Sequence, residues 1–239
     1  MRLDTLITEK KLVKSRAVAL DLIKKGKVLV NGEIITKPAK DFIDSNNLSI
    51  EILEQPKYVG RGGLKLEKAL TEFKINPAGL TVLDVGSSTG GFTDCLLQNG
   101  AKKVYAVDVG SEQFDSELKK DPRIILMEKT DIRDIRSLPE KISLAVIDVS
   151  FISLELILPV VKDLLKNGSQ IIALIKPQFE TQREEKNKSG IVKTDKIREQ
   201  VLKNVENYCQ KIGLKIIKII DSPILGGSGN KEYLILLQK

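Results

Sequence analysis

The stretch Val82–Asp94, "VLDVGSSTGGFTD", decides the fold. Val82, Leu83 and Val85 read as a short buried strand with Asp84 at its close. Gly86, Gly90 and Gly91 fall in the turn that follows, and Gly91–Asn99 reads as the next helix. Glycines in such a turn let the backbone pass close to a ligand. Their spacing, Asp-x-Gly-x-x-x-Gly-Gly, differs from the tighter G-x-G-x-x-G that cradles a dinucleotide pyrophosphate. Further strand candidates are Lys103–Asp108, Ile124–Met127, Leu144–Val149, Gln170–Ile175, Lys215–Ile220 and Glu232–Leu237, with Thr81–Val85 as the first. Helical patterns at Leu64–Phe73, Leu154–Leu165 and Asp195–Ile212 fall between most of them. Strands alternating with helices argue for an α/β fold with a parallel, doubly wound sheet. Ligands of such sheets bind beyond the carboxyl ends of the strands.

That edge carries three acids at three successive strand ends. The first, Asp84, opens the glycine turn with Gly86, Ser88, Gly90, Gly91 and Phe92. Asp108 in "VYAVDVG" is placed to take ribose hydroxyls, and Asp131 in "EKTDIRD" suits an adenine amino group. The turn is similar to the loop that holds S-adenosylmethionine, a ligand without phosphates.

The same edge receives a lysine. In "SQIIALIKPQFE", Ser169–Glu180, an apolar run ends on Lys176 and is stopped by Pro177. A lysine is costly to desolvate without a partner or a task. The bland alternative is a strand that surfaces and solvates its last residue.

Composition narrows the classes. The chain has 239 residues, 41% hydrophobic and 30% charged, which is ordinary for a globular protein. It has no histidine and two cysteines, Cys95 and Cys209. Cys/His zinc sites, Ser-His-Asp triads and Cys-His pairs are therefore excluded, and no metal is expected. Two lone thiols fit the cytosol. The opening "MRLDTLITEKKLVKSR" lacks a signal-peptide core, and no run reaches membrane-span length, so an intracellular, cytoplasmic protein without a membrane partner is expected.

The net charge of +7 is concentrated at the front: residues 1–40 hold ten Lys/Arg against four acids, a net of +6. Concentrated positive charge is the footprint of phosphate binding. Within it, Leu3, Leu6 and Ile7 form one helical face. Ser15 caps a second helix carrying Ala17, Val18, Leu22 and Ile23. Gly26 stops that helix, and "VLVNGEII" has the Asn31-Gly32 signature of a hairpin. Arg2-Leu3-Asp4, Ser15-Arg16, Gly26 and Val30-Asn31-Gly32 resemble the RNA-binding module of the fourth small-subunit ribosomal protein. The resemblance implies RNA contact through Arg2, Lys10, Lys11, Lys14, Arg16, Lys24, Lys25 and Lys27. The expected organisation is an RNA-binding module over 1–55, a linker over 56–60 marked by Pro56 and Gly60, and a methyltransferase domain over 61–239.

Neither cysteine is placed as the nucleophile of cytosine C5 methylation. "IDVSFISL", Ile147–Leu154, lacks the Asn/Asp-Pro-Pro-aromatic tetrad of amino-group methylation. Lys65, Asp148, Lys176 and Glu232 do resemble the Lys-Asp-Lys-Glu tetrad of FtsJ-type ribose 2′-O-methyltransferases. Together with the basic front, "GRGGLKLEKAL" (Gly60–Leu70), "LIKPQFE" and "SPILGGSGNKEYLILL" make the chain similar, end to end, to the TlyA proteins, sometimes labelled hemolysins. That family implies a Rossmann-like class I sheet of seven strands, the last antiparallel, behind a small α+β RNA-binding domain. It also implies methylation of a cytidine 2′-hydroxyl in rRNA within ribosomal subunits, a functional linker at Lys57-Tyr58-Val59, and, for a short chain like this one, the large subunit. Where the family continues with "GYGQL" after Asp108, this chain has "GSEQFDSEL", which retains Gln113.

In that chemistry a poor nucleophile must be oriented and relieved of its proton. A buried lysine beside a second cation gives up its own proton more readily and can act as general base. Lys176 is the candidate, with Asp148 and Lys65 positioning it and Glu232 holding the second lysine or the hydroxyl. The alternative is a charged Lys176 that steadies the developing alkoxide. An inactive RNA-binding assembly factor and a membrane-lytic protein are the rival classes. Retention of all four tetrad residues weighs against the first, and 4% aromatics with no amphipathic aromatic helix against the second.

Overall fold

Val82, Leu83, Val85 and Asp84 are all fully or nearly fully buried, as a central strand flanked on both sides requires. The computed structural model describes residues 1–13, 15–42, 47–54 and 56–239. It divides into two units, Met1–Arg61 and Gly62–Lys239.

In the first unit, helices α1 (Leu3–Glu9) and α2 (Arg16–Lys24) pack on a three-stranded sheet of β1 (Val28–Val30), β2 (Glu33–Ile34) and β3 (Ile50–Ile52), in the order β2-β1-β3. The Ser15 side chain accepts a hydrogen bond from the Val18 amide and so caps α2. Asn31 and Gly32 both have positive φ, 52° and 81°, the backbone that a two-residue hairpin needs. Leu3, Ile7, Ala19, Ile23 and Val28 form its fully buried core. β3 was not expected: three residues in a polar stretch carry too little periodicity, and the strand is fixed by antiparallel pairing with β1, some 20 residues back. Lys14 lies outside the described residues.

The second unit is a seven-stranded sheet with helices between its strands. Its strands are β4 (Thr81–Val85), β5 (Lys103–Val107), β6 (Ile124–Met127), β7 (Ile142–Ile147), β8 (Leu165–Ile175), β9 (Lys215–Asp221) and β10 (Tyr233–Gln238). They are ordered β6-β5-β4-β7-β8-β10-β9, and only β10 runs antiparallel to its neighbours. The helices are α3 (Gly62–Phe73), α4 (Gly91–Gln98), α5 (Leu154–Leu164), α6 (Pro177–Glu180) and α7 (Asp195–Lys211). Strand order reverses between β4 and β7, which is the switch point where doubly wound sheets hold ligands. Leu83, Val85, Ala145, Ile147, Ala173 and Ile175 share one buried cluster with Leu154, Leu158 and Val161 of α5 and Val201 and Val205 of α7. Alternation along a strand sends their neighbours, Asp84 among them, to the opposite face, where α4 supplies Thr93.

Among the boundaries that differ from the sequence expectation are those of β8 and β7. β8 starts at Leu165 rather than Gln170, because Leu165 pairs with Ile142 ahead of a register shift, and Gly168 at φ 78° relieves the irregularity. β7 ends at Ile147, so Asp148 stands just beyond it, tied by its amide to the Val85 carbonyl at 2.9 Å.

Candidate active site

The glycine turn is shaped by close contacts. Gly86 has φ 83°, and a Cβ there would lie 2.6 Å from the Asp148 carbonyl oxygen, so no side chain fits. Gly90, at φ 93°, faces Leu118 and Phe114 at under about 3 Å from a built Cβ. The Ser88 amide donates to Asp108 Oδ2 at 2.7 Å, and the Gly110 amide and Gln113 side chain donate to Oδ1 at 2.7 and 3.1 Å. Gln113 of the altered loop thus holds the second acid directly.

A cavity of about 370 Å³ opens beyond β4, β5 and β7. Gly86, Ser88, Asp108 and Asp131 line it; Asp84, Gly90, Gly91 and Phe92 do not. Phe92 is buried and packs where Gly62 leaves room. Asp131 accepts from its own neighbour Arg133 through both side-chain oxygens, which holds its carboxyl below the usual range. Val107, Val109 and Ile132 supply apolar walls. Apolar walls, glycines against the backbone and carboxylates at the rim suit a cationic nucleoside such as S-adenosylmethionine.

Asp84 acts from behind the cavity. It is fully buried, accepts from Thr93 Oγ1 at 2.5 Å through Oδ2, and its Oδ1 finds no hydrogen-bond partner. Burial pushes its pKa up to about 7; the Thr93 hydrogen bond opposes this, while the nearby charges of Asp148 and Asp108 add to it. The Asp84–Thr93 bond ties the end of β4 to the first turn of α4 and so fixes the span of the turn between them.

The four tetrad residues converge from four elements: Lys65 from α3, Asp148 after β7, Lys176 at the end of β8 and Glu232 just before β10. Lys65 Nζ donates to Glu232 Oε2 at 2.8 Å and stands 3.9 Å from Asp148 Oδ2. Lys176 Nζ lies 2.6 Å from Asp148 Oδ1, an ion pair at an angle short of an aligned hydrogen bond, and donates to Ser150 Oγ at 2.8 Å. Charges therefore alternate in a chain: Lys176, Asp148, Lys65, Glu232. Glu232 is 2% exposed, and a Cβ on Gly226 would strike its Oε1. Pro177 occupies the first position of α6, which its fixed φ favours.

Sequence reasoning passed over four neighbours. Thr93 and Ser150 are described above. Gln178 donates to Glu232 Oε1 at 3.3 Å. Phe151 is 90% exposed at φ 65°, with its ring 4.9 Å from that of Phe179, which in turn sits 5.9 Å from Lys176 Nζ. A bulky residue held in the left-handed region and turned to solvent is strained. The strings "GGFTD", "DVSF" and "KPQF" carried these residues, but nothing in their type announced a contact.

In the first unit, Asp4 is fully buried between Arg2 and Arg16, whose guanidiniums hold its carboxyl down at about 2. Lys25 pairs with Asp21 and Lys27 with Glu54, both at 2.8 Å. Lys10, Lys11 and Lys24 are exposed.

Residues 58–239 match the FtsJ-like methyltransferase family and residues 1–41 the S4 domain. The chain is 44% identical to Hemolysin A of Brachyspira hyodysenteriae, with 98% of each covered. It is 37% identical to the 23S rRNA (cytidine-2′-O)-methyltransferase TlyA of Campylobacter jejuni (98% and 97% covered). Identity to the 16S/23S rRNA (cytidine-2′-O)-methyltransferase TlyA of Mycobacterium tuberculosis is 36% (99% and 89% covered). A solved Streptococcus thermophilus structure described as a hemolysin superposes with a TM-score of 0.80 at 42% identity, over 100% of this chain and 88% of that one.

Proposed function

The chain belongs to the FtsJ-like methyltransferase family, and from that premise we propose that it methylates a ribose 2′-hydroxyl of rRNA, at a cytidine of the large ribosomal subunit. The observation that carries the reading is the buried Lys176–Asp148–Lys65–Glu232 chain beside a cavity suited to a cationic nucleoside. S-adenosylmethionine, when bound, supplies an electrophilic methyl group. The protein's own work is to hold the acceptor hydroxyl and take its proton.

Lys176 does the second: its amine accepts the 2′-hydroxyl proton as the hydroxyl oxygen becomes nucleophilic, and the ammonium formed is met by Asp148 at 2.6 Å. Lys65, held by Glu232, places a second positive charge within 4 Å of Asp148. That charge steadies the oxyanion that develops during transfer. Phe151 offers an exposed ring at the cavity mouth on which the base of a splayed nucleotide can stack, as single-stranded RNA recognition uses. The S4 domain brings the RNA, its exposed lysines meeting the negative charge of the RNA phosphates. The curated relatives named for rRNA support the substrate, and both of those names include the large-subunit RNA. The site of action is the cytoplasm, where ribosomal subunits are assembled. The hemolysin name of another relative is not matched by a span: among the described residues no helix is long and apolar enough to cross a membrane.

The test is methyl incorporation from labelled S-adenosylmethionine into subunits of cells lacking this protein, with the product nucleotide mapped. Incorporation at a cytidine 2′-oxygen of large-subunit RNA is expected, with loss of at least ~10²-fold in Lys176→Ala. Methyl on a base, or Lys176→Ala at full turnover, refutes the reading. Lys176→Arg keeps a charge but cannot readily accept a proton; near-normal turnover there would replace proton removal by charge stabilisation.

A further inference from the structure

The cluster around Lys176 contains a hydroxyl with no assigned part. Ser150 stands two residues after Asp148, on the segment that leaves β7, and its Oγ lies 2.8 Å from Lys176 Nζ. The backbone there is anchored: the Asp148 amide donates to Val85 O at 2.9 Å, and Phe151 is held at φ 65°. The amine of Lys176 therefore meets two fixed oxygens, Asp148 Oδ1 at 2.6 Å and Ser150 Oγ at 2.8 Å, both carried by one short rigid stretch.

A lysine nitrogen has three positions beyond its Cε bond. When neutral, two are N–H donors and one is a lone pair. With one N–H fixed on Ser150 and the lone pair repelled by the Asp148 carboxylate oxygen at 2.6 Å, the lone pair has one direction left. With Asp148 alone, Nζ can turn about the Cε–Nζ bond and the lone pair is smeared over two positions. We propose that Ser150 is a positioning residue that fixes the lone pair of Lys176 toward the acceptor hydroxyl. This rests on the role given to Lys176 above. Ser150 is exposed, so its removal tests geometry rather than folding.

The expected result for Ser150→Ala is a fall in single-turnover methyl transfer on the order of tenfold, the rate equivalent of one lost hydrogen bond to an ionisable group. Affinity for S-adenosylmethionine, measured by calorimetry, should be unchanged even though Ser150 also lines the cavity, as should the KM for ribosomal subunits. Ser150→Thr, which keeps the oxygen, should recover most of the rate. In a Lys176→Ala background with long incubations, adding Ser150→Ala should cost nothing further, because there is no amine left to aim. An Ala variant within twofold of the parent rate overturns the proposal. So does an equal loss in the Lys176→Ala background, or a matching loss of S-adenosylmethionine affinity, each of which would mean that Ser150 acts without Lys176. If Lys176→Ala itself retains full turnover, the assignment of Lys176 falls instead.

Discussion

Asp84 gives the sharpest test of the site's electrostatics, because the pH range in which it titrates is otherwise nearly clear. The chain has no histidine, and ordinary carboxylates are fully ionised above pH 6. Burial lifts the folded-state pKa of Asp84 from 3.8 to about 7. The folded protein therefore holds a proton that the unfolded chain releases between those values. Stability from this group is fully present below pH ~4 and is lost as pH rises through ~7. Each pKa unit is worth about 1.36 kcal/mol, so raising the pH from 5 to 8 should cost the parent protein about 3 kcal/mol through this one carboxyl. Asp84→Asn keeps the shape and an acceptor for Thr93 but cannot titrate. Its stability should be nearly flat over the same range, apart from a smaller shared slope from Glu180, which burial also raises. The assay is thermal or urea unfolding of both proteins at pH 5, 6, 7 and 8. For a domain of this size the difference amounts to about 5–10 °C in the parent's Tm between the extremes. Parallel curves for parent and Asn variant would refute the argument and show that Asp84 is ionised and compensated across the range.

Other consequences follow from single contacts. Asp108→Ala removes the acceptor of the Ser88 and Gly110 amides and should weaken S-adenosylmethionine by about 1.5–3 kcal/mol in calorimetry, with RNA affinity unaltered. Glu232→Gln leaves a buried Lys65 without its close counter-charge. A loss of about 3 kcal/mol of urea stability is expected, and a change under about 0.5 would mean that Lys65 finds solvent or Asp148 instead. Phe151→Ala should raise the KM for RNA by a stacking contribution of ~1–3 kcal/mol while S-adenosylmethionine binding persists. Replacing Lys10, Lys11 and Lys24 by Gln should lower the slope of log affinity against log salt by about 2; an unchanged slope would place the RNA contact elsewhere on the unit.

The parts legible in the sequence are those where one residue's type settles its neighbourhood. β4 announced itself because Val82, Leu83 and Val85 have no polar atoms to satisfy and glycines follow at once. Lys176 stood out because a cation after five apolar residues contradicts its surroundings. The antiparallel β10 came from family likeness rather than from pattern, since "YLILLQ" gives no direction. Asp84 read as a ligand because it is an acid at a strand end; its one-residue retreat into β4 depends on pairing with Ala106 and Val146, which no local signal encodes. Glu232 is open between two roles in the sequence, and the close approach of Gly226 to it has no local signal. Ser150 and Gln178 were invisible for a plain reason: small polar residues beside turns are common everywhere, and only the distance to a charged partner distinguishes these two.

The contact between Gly86 and the Asp148 carbonyl has a consequence for how this enzyme can change. The glycine turn that lines the cavity and the backbone that carries Asp148 touch with no space for even one methyl group. With the roles proposed above, donor affinity and acceptor chemistry are mechanically one variable. A substitution that loosens the turn would displace Asp148, and with it Lys176, so lineages drifting toward a different donor would lose turnover before gaining affinity. Compensation would have to arise across the gap, at Asp148–Ser150, and variants selected to rescue a bulkier residue at Gly86 should map there rather than elsewhere in the cavity wall.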